Sequence, residues 1–327
     1  MARFHSSFDE LILTSTGASS FQVTEQIQEL WSGYGQILRL SLDGSDVSSV
    51  VVKHIHLPEQ QNHPRGWNSD KSHQRKVRSY EVENSWYKGY SQRCAGQFRR
   101  VPQPLGFGDS DGETLIILED LDAAGFPERL TQVTWENIDA CLQWLAQFHA
   151  FFLDFKPLGL WPVGTYWHLD TRPDELEALD DIPLKEAAAQ IDAKLSAARY
   201  STFVHGDAKL ANFCFSPCGT EVAAVDFQYV GGGCGMKDVA YFIGSCLNED
   251  ECERLEDQLL DTYFGYLQQQ VKLYHHQISG DKLEAEWRAL FPLAWTDFHR
   301  FLKGWSPGHW KINSYSEKMA REALKIL

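Results

Sequence analysis

The spacing of apolar residues changes along this chain, and that change restricts its possible folds more than any other feature of the sequence. In the first third, turn residues separate short apolar runs. Residues 37–42 alternate as a strand does, Asp43-Gly44 supplies a turn, and residues 50–55 form the returning strand of a hairpin. The continuous apolar run at residues 115–118 predicts a buried strand. This part of the chain is therefore predicted to be rich in β-structure.

Two segments of the first third differ from these strands. Residues 58–78 are polar and contain Pro58, Pro64 and Gly66, which predicts a long loop. Between residues 77 and 90, aromatic and apolar residues recur mostly at three- and four-residue spacing, which predicts a helix.

After residue 121 the pattern becomes that of long helices. Thr134 is a good N-cap for a helix with an apolar stripe, and a second helix is predicted at about residues 250–272. Short β-rich segments lie between them, near residues 203–204 and 222–227. A β-rich first part followed by a helical second part predicts an α+β protein of two lobes. The predicted boundaries are 1–121 for a small, β-rich N-terminal lobe and 122–327 for a larger, helical C-terminal lobe.

Composition excludes several classes of protein. The 327 residues suit two lobes, and the formal net charge of -15 argues against a nucleic-acid partner, because phosphate backbones need a basic face. We expect no signal peptide, since Asp9 and Glu10 precede any apolar stretch, and no membrane span, which together predict a cytoplasmic protein. Cys214 and Cys218 resemble half a zinc site, but no second pair follows, so we expect bystander thiols.

A segment with a carboxylate and an amide at fixed spacing gives the chemical signal of the sequence. It reads His-Gly-Asp-Ala-Lys-Leu-Ala-Asn over residues 205–212, and Asp226 follows the apolar run at residues 222–225. Phosphoryl transfer needs one carboxylate to orient a hydroxyl and accept its proton, and oxygen ligands for Mg²⁺. The pattern predicts Asp207 as the base, with Asn212 and Asp226 as magnesium ligands. Taken singly, such residues often only form turns or caps.

His-Gly-Asp-x-x-x-x-Asn, followed by Val-Asp-Phe-Gln at residues 225–228, resembles the aminoglycoside phosphotransferase and choline kinase superfamily. The likeness is greatest to the branch of choline-kinase-like and ecdysteroid-kinase-like proteins, and it extends over roughly residues 30–250. The resemblance implies a protein-kinase-like fold. It also implies ATP- and Mg²⁺-dependent transfer of the γ-phosphoryl group to a hydroxyl of a small acceptor.

Lys53 follows three valines and matches the Val-Ala-Ile-Lys pattern, whose lysine holds the α- and β-phosphates. Its partner should be a glutamate on the next helix, because an ion pair keeps the ammonium directed at the phosphates. In the family's helix a glutamate precedes an aromatic pair by three and four residues. The pair at residues 86–87 therefore selects Glu83, and Glu81 stays open as the alternative.

Two further segments of the first lobe resemble nucleotide-binding parts of the family. Ser-Gly-Tyr-Gly-Gln contains Gly33 and Gly35 where a glycine-rich loop belongs, although the full protein-kinase loop is missing. Leu-Glu-Asp-Leu resembles the hinge, where the backbone around Glu119 and Leu121 would bind the adenine edge. Without the resemblance, a two-glycine turn and an acidic strand end are ordinary structural features.

Three residues near the base receive roles from the resemblance. Lys209 lies two residues after Asp207, where many kinases have a lysine that steadies the transferring phosphoryl group. Asp238 resembles the family aspartate that opens the next helix, and we expect it to accept hydrogen bonds from the catalytic-loop backbone. His205 is expected to have a similar scaffolding role.

The acceptor is predicted to be a small hydroxylated molecule and not a polypeptide. Only residues 227–237 separate Asp226 from Asp238, too few for the activation segment of a protein kinase. Gly206 also replaces the arginine that reads an activation-loop phosphate.

The resemblance further implies an acceptor pocket built by the helical lobe. Aromatic side chains with an acid can hold an amine or a quaternary ammonium through cation–π attraction and charge, although ordinary core packing is the alternative. Trp167 and His168 are further candidates from an irregular region. The main candidates for the acceptor pocket are Trp295, Asp297, His299, Arg300 and Trp305.

Two functions from different classes stay open. The first is an active kinase for an amino alcohol, an aminoglycoside-like molecule or another metabolite, and the second is a nucleotide-binding pseudokinase without turnover. The presence of Lys53, Asp207, Asn212 and Asp226 favours the enzyme. The sequence does not choose among acceptors, between ATP and GTP, or among oligomeric states.

Overall fold

The N-terminal region is built on one antiparallel sheet of five strands in the order β1-β2-β3-β5-β4. The computed structural model describes residues 6–30, 33–56, 70–94 and 99–327. The strands of this sheet are β1 (Ser20–Glu29), β2 (Gly35–Asp43), β3 (Ser49–His56), β4 (Pro104–Ser110) and β5 (Glu113–Glu119). The strands expected at residues 37–42, 50–55 and 115–118 are confirmed as β2, β3 and β5, and β2 and β3 form the expected hairpin.

Alternating side chains decide which face of the sheet is buried. Leu38, Leu40 and Leu42 of β2 are buried on one face, since successive side chains of a strand point to opposite sides. They pack against Phe8 and Ile12 of the first helix in one apolar cluster. That helix is α1 (Ser6–Thr16). The alternate positions Ile37, Arg39 and Ser41 are only partly buried.

The helix that follows the sheet's first three strands is longer than the sequence predicts. Helix α2 (Asp70–Gly89) contains most of the helix expected at residues 77–90. The loop expected at residues 58–78 is wrong from Asp70 onward, and residues 57–69 lie outside the described part of the chain.

The first turns of α2 lack an apolar stripe because they present cations to the C-terminal region. Arg75 donates to the carbonyl of Thr171 at 2.6 Å, and Lys76 donates to Gln228 Oε1 at 2.6 Å. Apolar periodicity cannot detect a helix whose buried contacts are polar.

The C-terminal region is mainly helical. Its helices are α3 (Trp135–Phe151), α4 (Pro173–Glu177), α5 (Ile182–Ser196), α6 (Met236–Cys246), α7 (Glu249–Tyr274), α8 (Gly280–Trp305) and α9 (Ser314–Lys325). Two small antiparallel sheets pair β6 (Thr202–Val204) with β9 (Gly231–Gly233), and β7 (Phe213–Phe215) with β8 (Val222–Ala224). The predicted capping of α3 by Thr134 and the helix predicted near residues 250–272 are confirmed. The two-part α+β architecture is therefore as predicted, while the exact lobe boundary near residue 121 stays a prediction.

An aromatic contact fixes α2 to the C-terminal region. Trp86 of α2 is fully buried and stacks on Phe227, with ring centroids 4.4 Å apart and an interplanar angle of 13°. Phe148 and Phe152 of α3 pack around the same indole. Burial of aromatic rings is a large source of stability. The orientation of α2 is thus set by the helical region as well as by the sheet.

The loop after β6 is anchored to α6 by a buried carboxylate. Asp238 accepts the backbone N–H of His205 at 2.5 Å and that of Gly206 at 2.9 Å, and His149 Nε2 lies 3.1 Å away. The expectation that Asp238 binds the catalytic-loop backbone is confirmed. One side chain therefore satisfies two buried backbone donors, which would be costly to leave unpaired.

His205 ties the same loop to the strand that precedes Asp226. Its Nε2 lies 3.0 Å from the carbonyl of Val225, and its Nδ1 accepts the backbone N–H of Asp207 at 3.2 Å. Gly206 adopts a φ of 82°, and a Cβ at this position would lie 2.1 Å from the carbonyl oxygen of Tyr229. The loop conformation accordingly requires glycine there.

None of the helices in the described ranges combines the length and apolar composition that a bilayer crossing requires.

Replacement of Asp238 tests the anchoring of the loop. Asp238→Ala should lower the free energy of unfolding by about 3 kcal/mol, because two buried N–H donors lose their acceptor. Asp238→Asn should lose less, since it keeps one acceptor oxygen. Urea unfolding measures both. The control Asp257→Ala, at an exposed position of α7, should change stability by no more than about 0.5 kcal/mol. Equal stability of Asp238→Ala and wild type would contradict the anchoring role.

Candidate active site

Lys53 and Glu83 form a buried ion pair between the sheet and α2. Lys53 Nζ donates to Glu83 Oε2 at 2.5 Å and lies 3.9 Å from Asp226 Oδ1. The side chains of Lys53 and Glu83 are only 5% and 2% exposed. Glu81 is exposed instead, and its carboxylate binds Arg78 at 3.0 Å. The structure thus pairs Lys53 with Glu83, the glutamate that the sequence selected over Glu81.

Burial makes this pair mutually dependent. It raises the pKa of Glu83, and the opposing charge of Lys53 does not fully offset that effect. Removal of one partner would leave the other as an uncompensated buried charge, which is strongly destabilising. The position of the Lys53 ammonium is therefore held by Glu83.

Asp207 has one engaged oxygen and one unpartnered oxygen. Its Oδ2 accepts Lys209 Nζ at 2.9 Å and Asn212 Nδ2 at 3.1 Å. Its Oδ1 is buried and has no hydrogen-bond partner among the described residues. Burial raises the pKa of Asp207; Lys209 opposes the rise and the nearby Asp226 adds to it. A fixed carboxylate with a raised pKa and an unused acceptor atom is suited to accept a proton near neutral pH.

Asp226 lies beside Asp207, but its pKa is shifted in the opposite direction. Burial disfavours its ionisation, yet the charges of Lys53, Lys209 and Lys76 outweigh burial and lower the pKa of Asp226. Its backbone has a φ of 69°, in the left-handed region that a non-glycine residue rarely adopts. Such strain persists only where the surroundings impose it, and it is common at functional sites. Two adjacent carboxylates with opposite shifts are suited to different tasks.

Asn212 and Asp226 fit the ligand chemistry of Mg²⁺. Asn212 Nδ2 donates to the carbonyl of Asp207 at 2.7 Å, so its Oδ1 is the side-chain atom left to bind a cation. The backbone N–H of Val225 donates to the carbonyl of Asn212 at 3.0 Å, which keeps the two candidate ligands adjacent. No cluster of three or more His, Cys, Asp or Glu side chains in the described part of the chain is placed to hold a metal. Mg²⁺ commonly needs only one or two protein oxygens plus substrate phosphates.

The turn between β1 and β2 lies next to the strand that contains Lys53. Gly33 and Gly35 have φ angles of 72° and 136°. A Cβ on Gly35 would lie 2.0 Å from the carbonyl oxygen of His54, so only glycine permits this approach. Ser32 lies outside the described residues. Both glycines are thus near the Lys53 segment, and their contact with phosphates stays a prediction.

The segment predicted as a hinge follows β5 directly. Glu119 pairs with Arg100 through its carboxylate, which also accepts the backbone N–H of Gln103 at 3.1 Å. Leu121 is buried, and its carbonyl accepts the N–H of Phe126 at 2.8 Å. The side chain of Glu119 therefore supports the local fold. The prediction that the backbone around Glu119 and Leu121 binds adenine stays untested.

Two of the predicted acceptor residues lie in the protein interior. Asp297 Oδ1 accepts Arg300 Nη2 at 2.7 Å; its Oδ2 accepts the indole N–H of Trp167 at 3.1 Å and lies 3.6 Å from Lys237 Nζ. Asp297 and Arg300 are both 0% exposed. An acid saturated by its own neighbours has no oxygen to offer a substrate amine. We therefore correct the expected role of Asp297 and Arg300 from substrate contact to internal support.

Trp295 and His299 line a small pocket between α6, α8 and α9. Trp295 donates its indole N–H to Ser316 Oγ at 3.1 Å, and His299 Nε2 lies 3.2 Å from Glu317 Oε1. Burial lowers the pKa of His299, and Glu317 opposes this effect. Both side chains already have protein partners, and their contact with an acceptor stays a prediction.

Trp305 belongs to an aromatic cluster that borders the base. It stacks on Phe301 with centroids 5.8 Å apart. The members of this aromatic cluster are Tyr166, Trp167, Tyr241, Phe298, Phe301 and Trp305. Tyr241 Oη lies 3.1 Å from Tyr166 Oη, and burial, with the added influence of Tyr166 and Asp207, raises the pKa of Tyr241. The cluster thus reaches Asp207 through Tyr241, which the sequence analysis missed although it lies one helical turn after Asp238.

Lys76 is a second residue that the sequence analysis missed. Its Nζ lies 4.7 Å from the centroid of the Tyr80 ring and donates to Gln228, which in turn donates to Asp226 Oδ1 at 2.7 Å. Burial lowers the pKa of Lys76 to about 8, and the charge of Asp226 opposes this effect. Lys76 precedes Glu83 by seven residues, two helical turns, and this spacing could have identified it had the segment been read as helical.

The sequence of this chain is similar to that of a known protein family. The model of the ecdysteroid kinase-like family matches residues 35–157 and 167–276. No curated protein sequence matches the chain.

Three solved structures are similar to this chain. A microcompartment-associated aminopropanol kinase is 14% identical, with a TM-score of 0.51 over 98% of this chain and 94% of that chain. An ethanolamine kinase of Plasmodium vivax is 12% identical, with a TM-score of 0.51 over 93% of this chain and 81% of that chain. An aminoglycoside phosphotransferase of Streptomyces rimosus, solved with ADP and streptomycin, is 15% identical, with a TM-score of 0.45 over 89% and 98%.

The family match covers well over half of the chain. It includes Lys53, Glu83, the catalytic loop, Asp226 and Asp238. The motif spacing, the two-part fold and this match agree with one another. The chain belongs to the ecdysteroid kinase-like family, and its fold is similar to that of the aminopropanol kinase and the ethanolamine kinase.

Proposed function

We propose that this protein is a kinase that transfers the γ-phosphoryl group of ATP to a hydroxyl of a small acceptor, with Mg²⁺. The observation that carries the proposal is the state of Asp207. One of its oxygens is held by Lys209 and Asn212, and the other is buried without a partner among the described residues. A buried carboxylate oxygen with no donor is costly unless a ligand supplies one. A substrate hydroxyl is such a donor.

Asp207 and the residues around it would have different roles in the phosphoryl transfer. Asp207 Oδ1 would accept the hydrogen bond of the acceptor hydroxyl and then its proton. Lys209 holds Oδ2 at 2.9 Å, which fixes the carboxylate, and its ammonium stays close to where charge develops. Bound Mg-ATP would supply the phosphoryl group. Proton acceptance by Asp207 makes the acceptor oxygen a better nucleophile.

On the nucleotide side, the site would depend on four side chains, of which two are cationic and two are candidate metal ligands. Lys53, directed by Glu83, would bind phosphate oxygens. Asn212 and Asp226 would hold Mg²⁺, as their adjacency and oxygen chemistry support. Lys76 would add a second ammonium near Asp226.

The first test is a screen of alcohols and amino alcohols with ATP and Mg²⁺, in which the release of ADP is measured.

Once an acceptor is identified, Asp207→Asn should lower kcat about 100-fold or more, because the amide cannot accept the proton. ATP should still bind to this variant. Asp257→Asn, exposed on α7, is the matched control and should keep wild-type kcat. A protein that binds ATP without turning over any acceptor would instead be the pseudokinase, and near-normal turnover of Asp207→Asn would remove Asp207 from the role of base.

A double-mutant cycle tests whether Glu83 acts through Lys53. Lys53→Met should sharply lower kcat/KM for ATP, and Glu83→Gln should lower it less, because the ammonium remains. The double variant should be scarcely worse than Lys53→Met, since residues that share one interaction are not additive. Glu81 lies on the same helix, is exposed, and pairs with Arg78 rather than with Lys53, so Glu81→Gln should behave as wild type. Losses that simply multiply would show that the pair is not coupled.

The pH dependence of ATP binding tests Lys76. Its pKa of about 8 means that the ammonium is charged at pH 7 and loses its proton as the pH rises through 8. Lys76→Met should therefore weaken ATP binding about 10-fold at pH 7 and very little at pH 9.5. Lys76→Arg should keep its affinity at pH 9.5, because a guanidinium stays charged. Nucleotide titrations without acceptor measure this, and an equal effect of Lys76→Met at both pH values would exclude a phosphate contact.

A further inference from the structure

Lys311, between α8 and α9, places its ammonium among three aromatic rings. Lys311 Nζ lies 5.1 Å from the ring centroid of Tyr241, 5.6 Å from that of Phe298 and 5.5 Å from that of Trp310. Aromatic faces attract cations. These rings therefore hold a cation that the protein itself supplies.

This ammonium lacks a counter-charge. Lys53, Lys209 and Lys237 each have a carboxylate oxygen within 4.0 Å, whereas Lys311 has none among the described residues. Burial lowers the pKa of Lys311 to about 8, and the influence of Cys246 and Asp207 opposes the shift only in part. A partly buried cation without a partner is costly, and an anionic ligand would relieve that cost.

Lys311 also adjoins the residues that surround the proposed base. It covers the ring of Tyr241, whose hydroxyl lies 3.1 Å from that of Tyr166. The backbone N–H of Tyr166 in turn donates to the carbonyl of Gly206, the residue before Asp207, at 3.2 Å. A small molecule whose hydroxyl meets Asp207 Oδ1 would therefore extend toward Lys311.

The charges near this position disfavour a cationic acceptor. An ammonium group here would meet the like charges of Lys311 and Lys209, and like charges repel at close range. The acid that could have balanced an amine, Asp297, is buried and bound to Arg300 and Lys237. A carboxylate or phosphate group would instead form a charge-assisted hydrogen bond with Lys311.

We propose that the acceptor is a hydroxylated anion, whose carboxylate or phosphate group binds Lys311 while its hydroxyl faces Asp207. The inference rests on the proposed kinase function and names the chemical class of its acceptor. The phosphoryl group moves from ATP to the acceptor oxygen, the bond to ADP breaks, and the hydroxyl proton passes to Asp207.

Three-carbon acceptors that differ only in their terminal group test the proposal. The probes are 3-hydroxypropanoate, glycerol 3-phosphate, 1,3-propanediol and 3-amino-1-propanol, and the readout is kcat/KM for each with Mg-ATP. We expect one of the anions to be preferred, which also distinguishes carboxylate from phosphate. Lys311→Met should lower the ratio of anion to diol roughly 10- to 100-fold, the loss of one charge-assisted bond. Lys325→Met, at an exposed position of α9, should leave the ratio unchanged. Preference for the amino alcohol, or an unchanged ratio in Lys311→Met, would overturn the proposal.

A chemical labelling experiment tests whether an anion binds at Lys311 and does not require turnover. An acylating reagent at pH 8 should modify Lys311, and mass spectrometry should show slower modification with 3-hydroxypropanoate or glycerol 3-phosphate than with 3-amino-1-propanol. Lys325 should be modified equally in all cases. If neither anion protects Lys311, the proposal is overturned. If an anion protects Lys311 but no probe is phosphorylated and ATP is not hydrolysed, the anion site stands and the kinase proposal fails.

Discussion

The ion pair between Lys53 and Glu83 is the contact on which the geometry of the site depends. It joins the central strand β3 to α2 with both charges almost fully buried. Three residues after Glu83, Trp86 stacks on Phe227, which directly follows Asp226. One helix thus fixes Lys53 and the candidate metal ligand Asp226 relative to each other. Because buried charges tolerate little misplacement, the sheet cannot shift against the helical region without breaking this pair.

The same helix also contributes to the charge balance of the site. Asp207 and Asp226 lie close together, and two neighbouring carboxylates cannot both ionise freely. Lys53, Lys209 and Lys76 together lower the pKa of Asp226, whereas burial raises the pKa of Asp207. The surroundings thus favour the ionised form of Asp226 and the protonated form of Asp207. Division of labour between paired carboxylates follows from their surroundings, since their covalent chemistry is identical.

On the acceptor side, the local charges differ from the net charge of the chain. The protein has a formal net charge of -15, yet the ammonium groups of Lys209 and Lys311 lie near Asp207. Asp297, the acid that suggested an amine site, is enclosed by Arg300, Lys237 and Trp167. The chemistry of a pocket is set by which charges remain unpaired within it. Overall composition reports on solubility and long-range fields.

The sequence by itself determined the two-part fold and the motif from which the kinase function is proposed, because these depend on local patterns. Strand alternation, the Thr134 cap and the five-residue step from Asp207 to Asn212 are all visible within short windows. Only the tertiary structure decided that α2 begins at Asp70 and that Asp297 is internal. It also decided that Lys76 donates to Gln228 and that Lys311 lies over the ring of Tyr241. The physical reason is that a charged residue is expected from sequence to be solvent-exposed. Only the packing of the chain shows which groups, distant in sequence, surround it.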